Sequence, residues 1–199
     1  MAAMAHTPPP LILASSSPRR RALLEGVGLA FTVASPNVDE RRRGAESPRA
    51  YVLRLARAKA DAIGAGAHTA VLAADTTVAV DGMVLGKPRS PAEAARMLRK
   101  LSGRAHQVFT GVAARRGAEL AARAEVTRVW FKPLTRTEIA WYVGTAEPYD
   151  KAGGYGIQGL ASAFIPRIAG SYANVVGLPV ATALALLGEV GHPLPWSAR

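Results

Sequence analysis

An α/β protein built on a mixed sheet is what the 199-residue sequence predicts, and three observations carry that expectation. Apolar runs of strand type alternate along the chain with segments of helical spacing. Three helix starts share one device, a serine able to cap followed by a proline that suits the first helical position: Ser17-Pro18, Ser47-Pro48 and Ser90-Pro91. Hydrophobic residues make up 49% of the chain, enough for a core in one domain or in two lobes around a cleft, and too many for a disordered chain.

Residues 1–10 are rich in Ala and Pro, with no basic segment ahead of a long apolar run. They read as a disordered leader and not as a signal peptide or membrane span, which leaves 11–199 as a single domain. Leu11 to Ala14 is the first strand, and it delivers the chain to Ser15-Ser16-Ser17-Pro18-Arg19-Arg20-Arg21. Ser17 caps a helix there, so free amides and the positive dipole end face the same space as three guanidinium groups. Cations are disfavoured at that end, and an anion such as phosphate is expected beside them; the other reading is a capped helix with a solvated basic turn.

The next helix is expected from Pro48 to Ile63, where Val52, Leu55, Ala56 and Ile63 form an apolar stripe. Lys59 falls on that stripe, so it either snorkels to water or aims into a pocket. Residues Val71 to Val80 form a buried strand that Asp75 interrupts with a carboxylate, either as a site residue or as a structural group in a strand-end turn. Asp81-Gly82 predicts a type I′ hairpin into a strand from Met83 to Leu85, with Thr76 opposite Lys87 in regular register. Asp75 and Lys87 then reach the same end of the hairpin from opposite faces, and shared work needs a bend, for which Gly86 and Pro88 give the opportunity.

Further strands are expected over Gln107 to Ala114, Glu125 to Phe131 and Ala163 to Ile168, and a last helix from Pro179 to Leu187. Ser90 with Glu93 and Thr135 with Glu138 fit capping boxes. Asp39-Glu40, ahead of Arg41-Arg42-Arg43, can join Asp75 in offering oxygen ligands to Mg²⁺, or can belong to a solvated ion-paired loop. His6, His68, His106 and His192 show no zinc spacing, and the absence of cysteine removes disulfides and thiolate catalysis. The run from Asp150 to Gly159 holds four glycines with Tyr155 and Gln158, which can form a close-approach loop that stacks on and reads a base, or a plain turn-rich connection. It lacks the Gly-Lys-Ser/Thr ending of a phosphate-binding P-loop. The net charge of +11, with arginine far outnumbering lysine, suggests an anionic partner without naming it.

Taken together, these segments resemble the Maf family of nucleoside triphosphate pyrophosphatases. The resemblance rests on Leu13 through Arg21, Ala74-Asp75-Thr76 with Leu85-Gly86-Lys87-Pro88, Leu101-Ser102-Gly103, Asp150 through Gly159, and Asn174-Val175-Val176-Gly177-Leu178-Pro179. It implies an elongated mixed central sheet flanked by helices, with two lobes around a nucleotide-binding cleft, in a cytoplasmic protein that is often a homodimer. It implies hydrolysis between the α and β phosphates of a nucleoside triphosphate with a divalent metal, Mg²⁺ or Mn²⁺. By that resemblance Arg19, Arg20 and Ser15 belong to the substrate-binding set, Glu40 and Asp75 are the metal and water-activating carboxylates, and Lys59 and Lys87 are the cations around the triphosphate. The aspartate matching Asp75 is the family's proton acceptor.

The Asp75-Thr76 pair and the Tyr155 to Gly159 run resemble the branch acting on dTTP and UTP, with Arg19, Thr76 and Gln158 at the positions tied to base choice. The sister branch, acting on 7-methyl-GTP, usually carries Ser-Asp-Gln at the first of these places. A competing class is a basic protein that binds nucleic acid or a division partner without catalysis. Against it, the tryptophans and tyrosines do not interleave with Arg and Lys on one surface, and no nucleic-acid motif appears.

Overall fold

The computed structural model describes residues 10–197. The leader expected over 1–10 lies outside the described residues except for Pro10, whose carbonyl accepts the Ala70 amide at 2.9 Å. In chain order the elements are β1 (Leu11–Ala14), α1 (Pro18–Glu25), β2 (Thr32–Ala34), α2 (Pro48–Asp61), β3 (Ala70–Val80), β4 (Met83–Leu85), α3 (Pro91–Leu101), β5 (Ala105–Arg116), β6 (Glu119–Trp130) and α4 (Arg136–Val143). Three short 3₁₀ turns follow between Glu147 and Phe164, and then β7 (Arg167–Ala169), α5 (Tyr172–Val176) and α6 (Val180–Glu189).

The serine caps form as their sequence predicts: Ser17, Ser47 and Ser90 accept the amides of Arg20, Ala50 and Glu93, each with proline in the first helical turn. Thr135 and Glu138 close a complete capping box. Ser90 and Glu93 close only half of one, because the Glu93 carboxylate takes the Arg89 amide at 2.9 Å instead of that of Ser90.

Seven strands make one mixed sheet in the order β2-β1-β3-β5-β6-β7, with β4 added to β3. β1 runs parallel to β2 and β3, and every other pairing is antiparallel. The 11 or 12 residues of β3, β5 and β6 give strands roughly 40 Å long. They form a spine between two cores. At one end Leu13, Leu24, Leu72, Val112 and Leu186 pack together, with Ala56, Ala60, Ala73 and Ala113 seating α2 on the other face. At the other end Val78, Leu98, Val108, Phe131, Tyr142 and Phe164 form the second core.

The edge of β3 is the feature that opens the cleft. β1 pairs with Ala70 to Ala73 and β4 pairs with Val78 to Val80 along the same edge, since β5 occupies the other. Residues 74–77 therefore have no strand neighbour on that side. The hairpin keeps the expected register through Val78 and Leu85 but stops there, so the pairing of Thr76 with Lys87 does not form. The bend falls at Gly86, whose carbonyl accepts the Gly153 amide at 3.0 Å.

The strand expected over Ala163 to Ile168 is replaced by a 3₁₀ turn over Leu160–Phe164 and a shorter β7. Pro166 has no amide to give a ladder, which delays pairing to Arg167. β5 and β6 run longer than expected, α2 ends at Asp61 and not Ile63, and β2 and α5 carry too little pattern to be seen in advance.

α2 reaches β3 because Gly111, opposite Asp75 on β5, has no side chain. A Cβ there would lie 2.5 Å from the Val52 carbonyl carbon and 2.8 Å from the Leu53 amide nitrogen, both backbone atoms of α2. Gly111→Ala must push the helix off the sheet. We expect a loss of about 1–3 kcal/mol in urea unfolding, and an unchanged midpoint would contradict this packing.

Candidate active site

The strand places Asp75 and Thr76 on opposite faces, and the gap in the β3 edge lets both border one space. That space is a cleft of about 1150 Å³ bordered by Ser15, Arg19, Arg20, Glu40, Lys59, Asp75, Thr76, Lys87 and Gln158. These nine are the residues the family resemblance assigns to the site, whereas Asp39 and Arg21, also singled out from the sequence, do not border the cleft.

On the α2 face, Lys59 is buried and aimed inward, with only 8% of its surface exposed. Its Nζ lies 2.7 Å from Asp75 Oδ1 and 2.6 Å from Glu40 Oε1. One ammonium therefore gathers two carboxylates from a strand and a distant loop. Burial pushes the Asp75 carboxyl above its ordinary range, partly opposed by Lys59 and Arg20. Burial also acts to raise Glu40, but the Lys59 hydrogen bond and the charges of Lys59, Lys87 and Arg20 outweigh it and hold Glu40 low. The two acids are thus driven apart in proton affinity by their surroundings.

The loop carrying Glu40 is held by α2. The Tyr51 hydroxyl donates to the Glu40 carbonyl at 2.8 Å, and Arg54 donates to the Arg41 carbonyl at 3.0 Å while pairing with Glu46. Asp39 turns away to pair with Arg41 at 2.8 Å, so the acidic pair divides its labour.

On the opposite face, Arg20 is fixed by three acceptors: the Gly177 carbonyl at 2.8 Å, Ser15 Oγ at 3.2 Å and Thr76 Oγ1 at 3.1 Å. Thr110 donates to the Asn174 carbonyl at 3.0 Å, so its oxygen is left to accept from Thr76 across 2.9 Å, and the Thr76 hydroxyl also lies 3.3 Å from the Gly177 carbonyl. Two of the five guanidinium hydrogens remain for an anion. Ser15 and Thr76 accordingly grip Arg20 as well as bordering the cleft.

Arg19 reaches across the cleft to Asp150 at 2.7 Å. The three arginines of α1 do not all face that space: Arg21 pairs with Glu25 on the exposed side, as the 100° step between helical residues requires. Lys87 and Gln158 are exposed at the margins. Tyr155 does not stack in the open. It is buried with its hydroxyl 2.6 Å from His106 Nε2, and burial holds His106 down to about 4, hence neutral. Sequence reasoning missed Tyr51, Thr110 and Gly111, of which only the last carried a signal, a glycine inside an apolar strand, and it quoted Asn174 within a family segment without giving it a role.

Asp75 and Glu40 each place one oxygen on Lys59 and keep the other for a further partner. Two carboxylates beside a cationic, phosphate-sized space suit a hard divalent ion that shares its shell with phosphate and water. No group of three or more acidic or histidine side chains converges among the described residues, so an all-protein metal cage is not what this donor set offers.

Asp75 holds its proton more tightly folded than unfolded, so its contribution favours folding below the ordinary aspartate range and is lost as pH rises through its raised value. Asp75→Asn keeps the shape without the charge, and Lys59 keeps Glu40. We expect this variant to melt higher than the parent at neutral pH, with the difference closing toward acid. A melting point at or below the parent's at neutral pH would contradict a net cost of the buried carboxylate.

The Maf-like protein family model matches residues 10–190. A dTTP/UTP pyrophosphatase of Symbiobacterium thermophilum is 56% identical over 92% of this chain and 95% of its own length. One from Anaeromyxobacter sp. strain Fw109-5 is 52% identical over 94% and 93%, and one from Myxococcus xanthus 49% over 94% and 96%. Among solved structures, a HAM1 protein from Coxiella burnetii shares 17% identity over 64% of this chain and 75% of its own, at a TM-score of 0.45, too distant to bear on the site. A match spanning both lobes and the whole cleft, with half of all residues identical in full-length relatives, means that this chain belongs to the Maf family.

Proposed function

We propose that this protein hydrolyses nucleoside triphosphates, dTTP and UTP above others, between the α and β phosphates, giving the monophosphate and pyrophosphate. The observation that carries the proposal is the convergence on one cleft of Arg19, Arg20, Lys59 and Lys87 with the paired acids Asp75 and Glu40. The names of the relatives at 49–56% identity support the choice of substrate.

The chemistry needs charge neutralisation and alignment more than covalent help. Arg19, Arg20 and Lys87 would bind the phosphate oxygens, with Arg20 prealigned by its three acceptors. Asp75, whose burial keeps its proton affinity above that of an ordinary carboxylate, would take a proton from the attacking water through the oxygen not held by Lys59. The water oxygen bonds to one phosphorus of the α–β anhydride as the bond from that phosphorus to the bridging oxygen breaks, one proton passing to Asp75 and the other to solvent or to the leaving group, so that the monophosphate and pyrophosphate separate. Glu40 would hold a divalent metal, Mg²⁺ or Mn²⁺, through its free oxygen, and the ion when bound supplies further charge neutralisation on the phosphates; the free Asp75 oxygen serves either as its second ligand or as the base, because coordination lowers proton affinity.

Gln158 carries an amide able to donate and accept, as the carbonyl and N–H edge of thymine or uracil requires. Arg19 and Thr76 accompany it as the specificity set. The family resemblance extends this reading to a cytoplasmic homodimer. No helix among the described residues is long and apolar enough to cross a membrane.

Incubating the protein with a panel of nucleotides and Mg²⁺ or Mn²⁺ should release pyrophosphate fastest from dTTP and UTP, and EDTA should stop it. A preference for 7-methyl-GTP, or no pyrophosphate from dTTP and UTP, would overturn the proposed substrate. Asp75→Asn should lower kcat by at least about 100-fold while nucleotide binding persists. The acid limb of the parent's kcat/KM profile should rise with pH as Asp75 deprotonates, above the ordinary aspartate range; a limb within that range counts against Asp75 as the base.

A further inference from the structure

Resting on base reading by Gln158, we propose that Glu147 is the positioning residue that sets this loop and thereby the base selectivity of the site. Glu147 opens the 3₁₀ turn Glu147–Asp150, and its carboxylate reaches 13 residues ahead. Oε2 accepts the Leu160 amide at 2.7 Å and Oε1 accepts the Ala161 amide at 3.2 Å. These are the first two amides of the 3₁₀ turn Leu160–Phe164, which has no side-chain cap of its own. A carboxylate there satisfies donors that would otherwise be orphaned and lies at the favourable end of the turn's dipole.

The carboxylate is itself anchored from below. The Tyr142 hydroxyl donates to Oε1 at 2.9 Å, and Tyr142 is fully buried against the edge of Phe164 at 5.4 Å between ring centroids. The second core thus reaches the cleft margin through one hydroxyl and one carboxylate.

The glycines on either side of Ile157-Gln158 wrap this clamp. A Cβ on Gly159 would lie 2.5 Å from Glu147 Cδ, and one on Gly156 would lie 2.6 Å from Lys151 Cε. The Gly159 amide donates to the Gly156 carbonyl at 3.2 Å, closing a turn whose two central residues, Ile157 and Gln158, border the cleft. The Lys151 ammonium donates to the Glu147 carbonyl at 2.8 Å, tying the other side of the turn to the same residue. Moving the Glu147 carboxylate therefore moves the Gln158 amide. The phosphate contacts of Arg20 are built on Ser15, Thr76 and Gly177 and do not pass through it.

The test compares kcat/KM for UTP and CTP, whose rings differ only at C4, a carbonyl against an amine, and at N3, a donor against an acceptor, and for dTTP and dCTP, which differ also by the thymine methyl, in the parent and in Glu147→Ala, Glu147→Gln and Tyr142→Phe. Inhibition by inorganic tripolyphosphate, which has no base, reads the phosphate half alone. Glu147→Ala should shrink the dTTP preference about tenfold, mainly through KM for dTTP, with tripolyphosphate inhibition unchanged. Tyr142→Phe should act in the same direction, about threefold. If Glu147→Ala does not fold, Glu147→Gln and Tyr142→Phe decide. Variants that keep the parental ratio, or that lose activity toward dTTP and dCTP together with inhibition by tripolyphosphate, overturn the clamp while leaving the proposed function standing. A parent with no preference for dTTP overturns the base-reading assignment first and the clamp with it.

Discussion

The ammonium of Lys59 sits between two carboxylates in a place largely closed to water, and much of the molecule serves to keep it there. A buried ammonium left without any carboxylate costs several kcal/mol, so Lys59 has to be placed together with at least one of its two acids. Lys59 comes from a helix, Asp75 from the middle of the longest parallel-paired strand, and Glu40 from a loop. Their meeting requires α2 to lie unusually close to the sheet, which Gly111 permits by offering no Cβ against Val52. Tyr51 and Arg54 of the same helix then hold the backbone that carries Glu40 and Arg41. One helix thus presents the cation, fixes the loop and covers the strand.

The second constraint is topological. β3 is shared along one edge by β1 and β4, and neither covers residues 74–77. Side chains on both faces of a strand normally cannot serve one ligand. Here the open edge lets the acid face, with Asp75, and the arginine face, with Thr76 and Arg20, border a single space. The division matches the chemistry proposed for it: proton affinity is tuned on the side packed by α2, and phosphate charge is met on the side backed by Thr110 and Asn174.

Much of this was legible in the sequence. The serine-proline helix starts were readable because capping is local chemistry, and the hairpin register because Asp81-Gly82 dictates a turn with positive φ at both positions. Lys59 on an apolar stripe and Asp75 in an apolar strand were readable as anomalies, although each alone had an ordinary explanation. Their partnership was not, because 16 residues and a change of element separate them. Ser15 and Thr76 stood out by resemblance, yet their grip on Arg20 depends on Gly177, far along the chain. The first half of β6, Glu119 to Ala124 with three alanines among six residues, has poor strand propensity and forms because Ala105–Arg116 pairs along its whole length. Glu147 carries no mark in the sequence, since the amides its carboxylate accepts lie 13 and 14 residues ahead.

The account depends on the triphosphate entering the gap beside residues 74–77. A crystal structure of the protein with the α,β-imido analogue of dTTP tests this most directly. It should show the phosphates between Arg19, Arg20 and Lys87, the bridging nitrogen facing Asp75 and Glu40, and the thymine beside Gln158. An analogue bound with its phosphates elsewhere, leaving Asp75 and Arg20 facing only solvent, would contradict it.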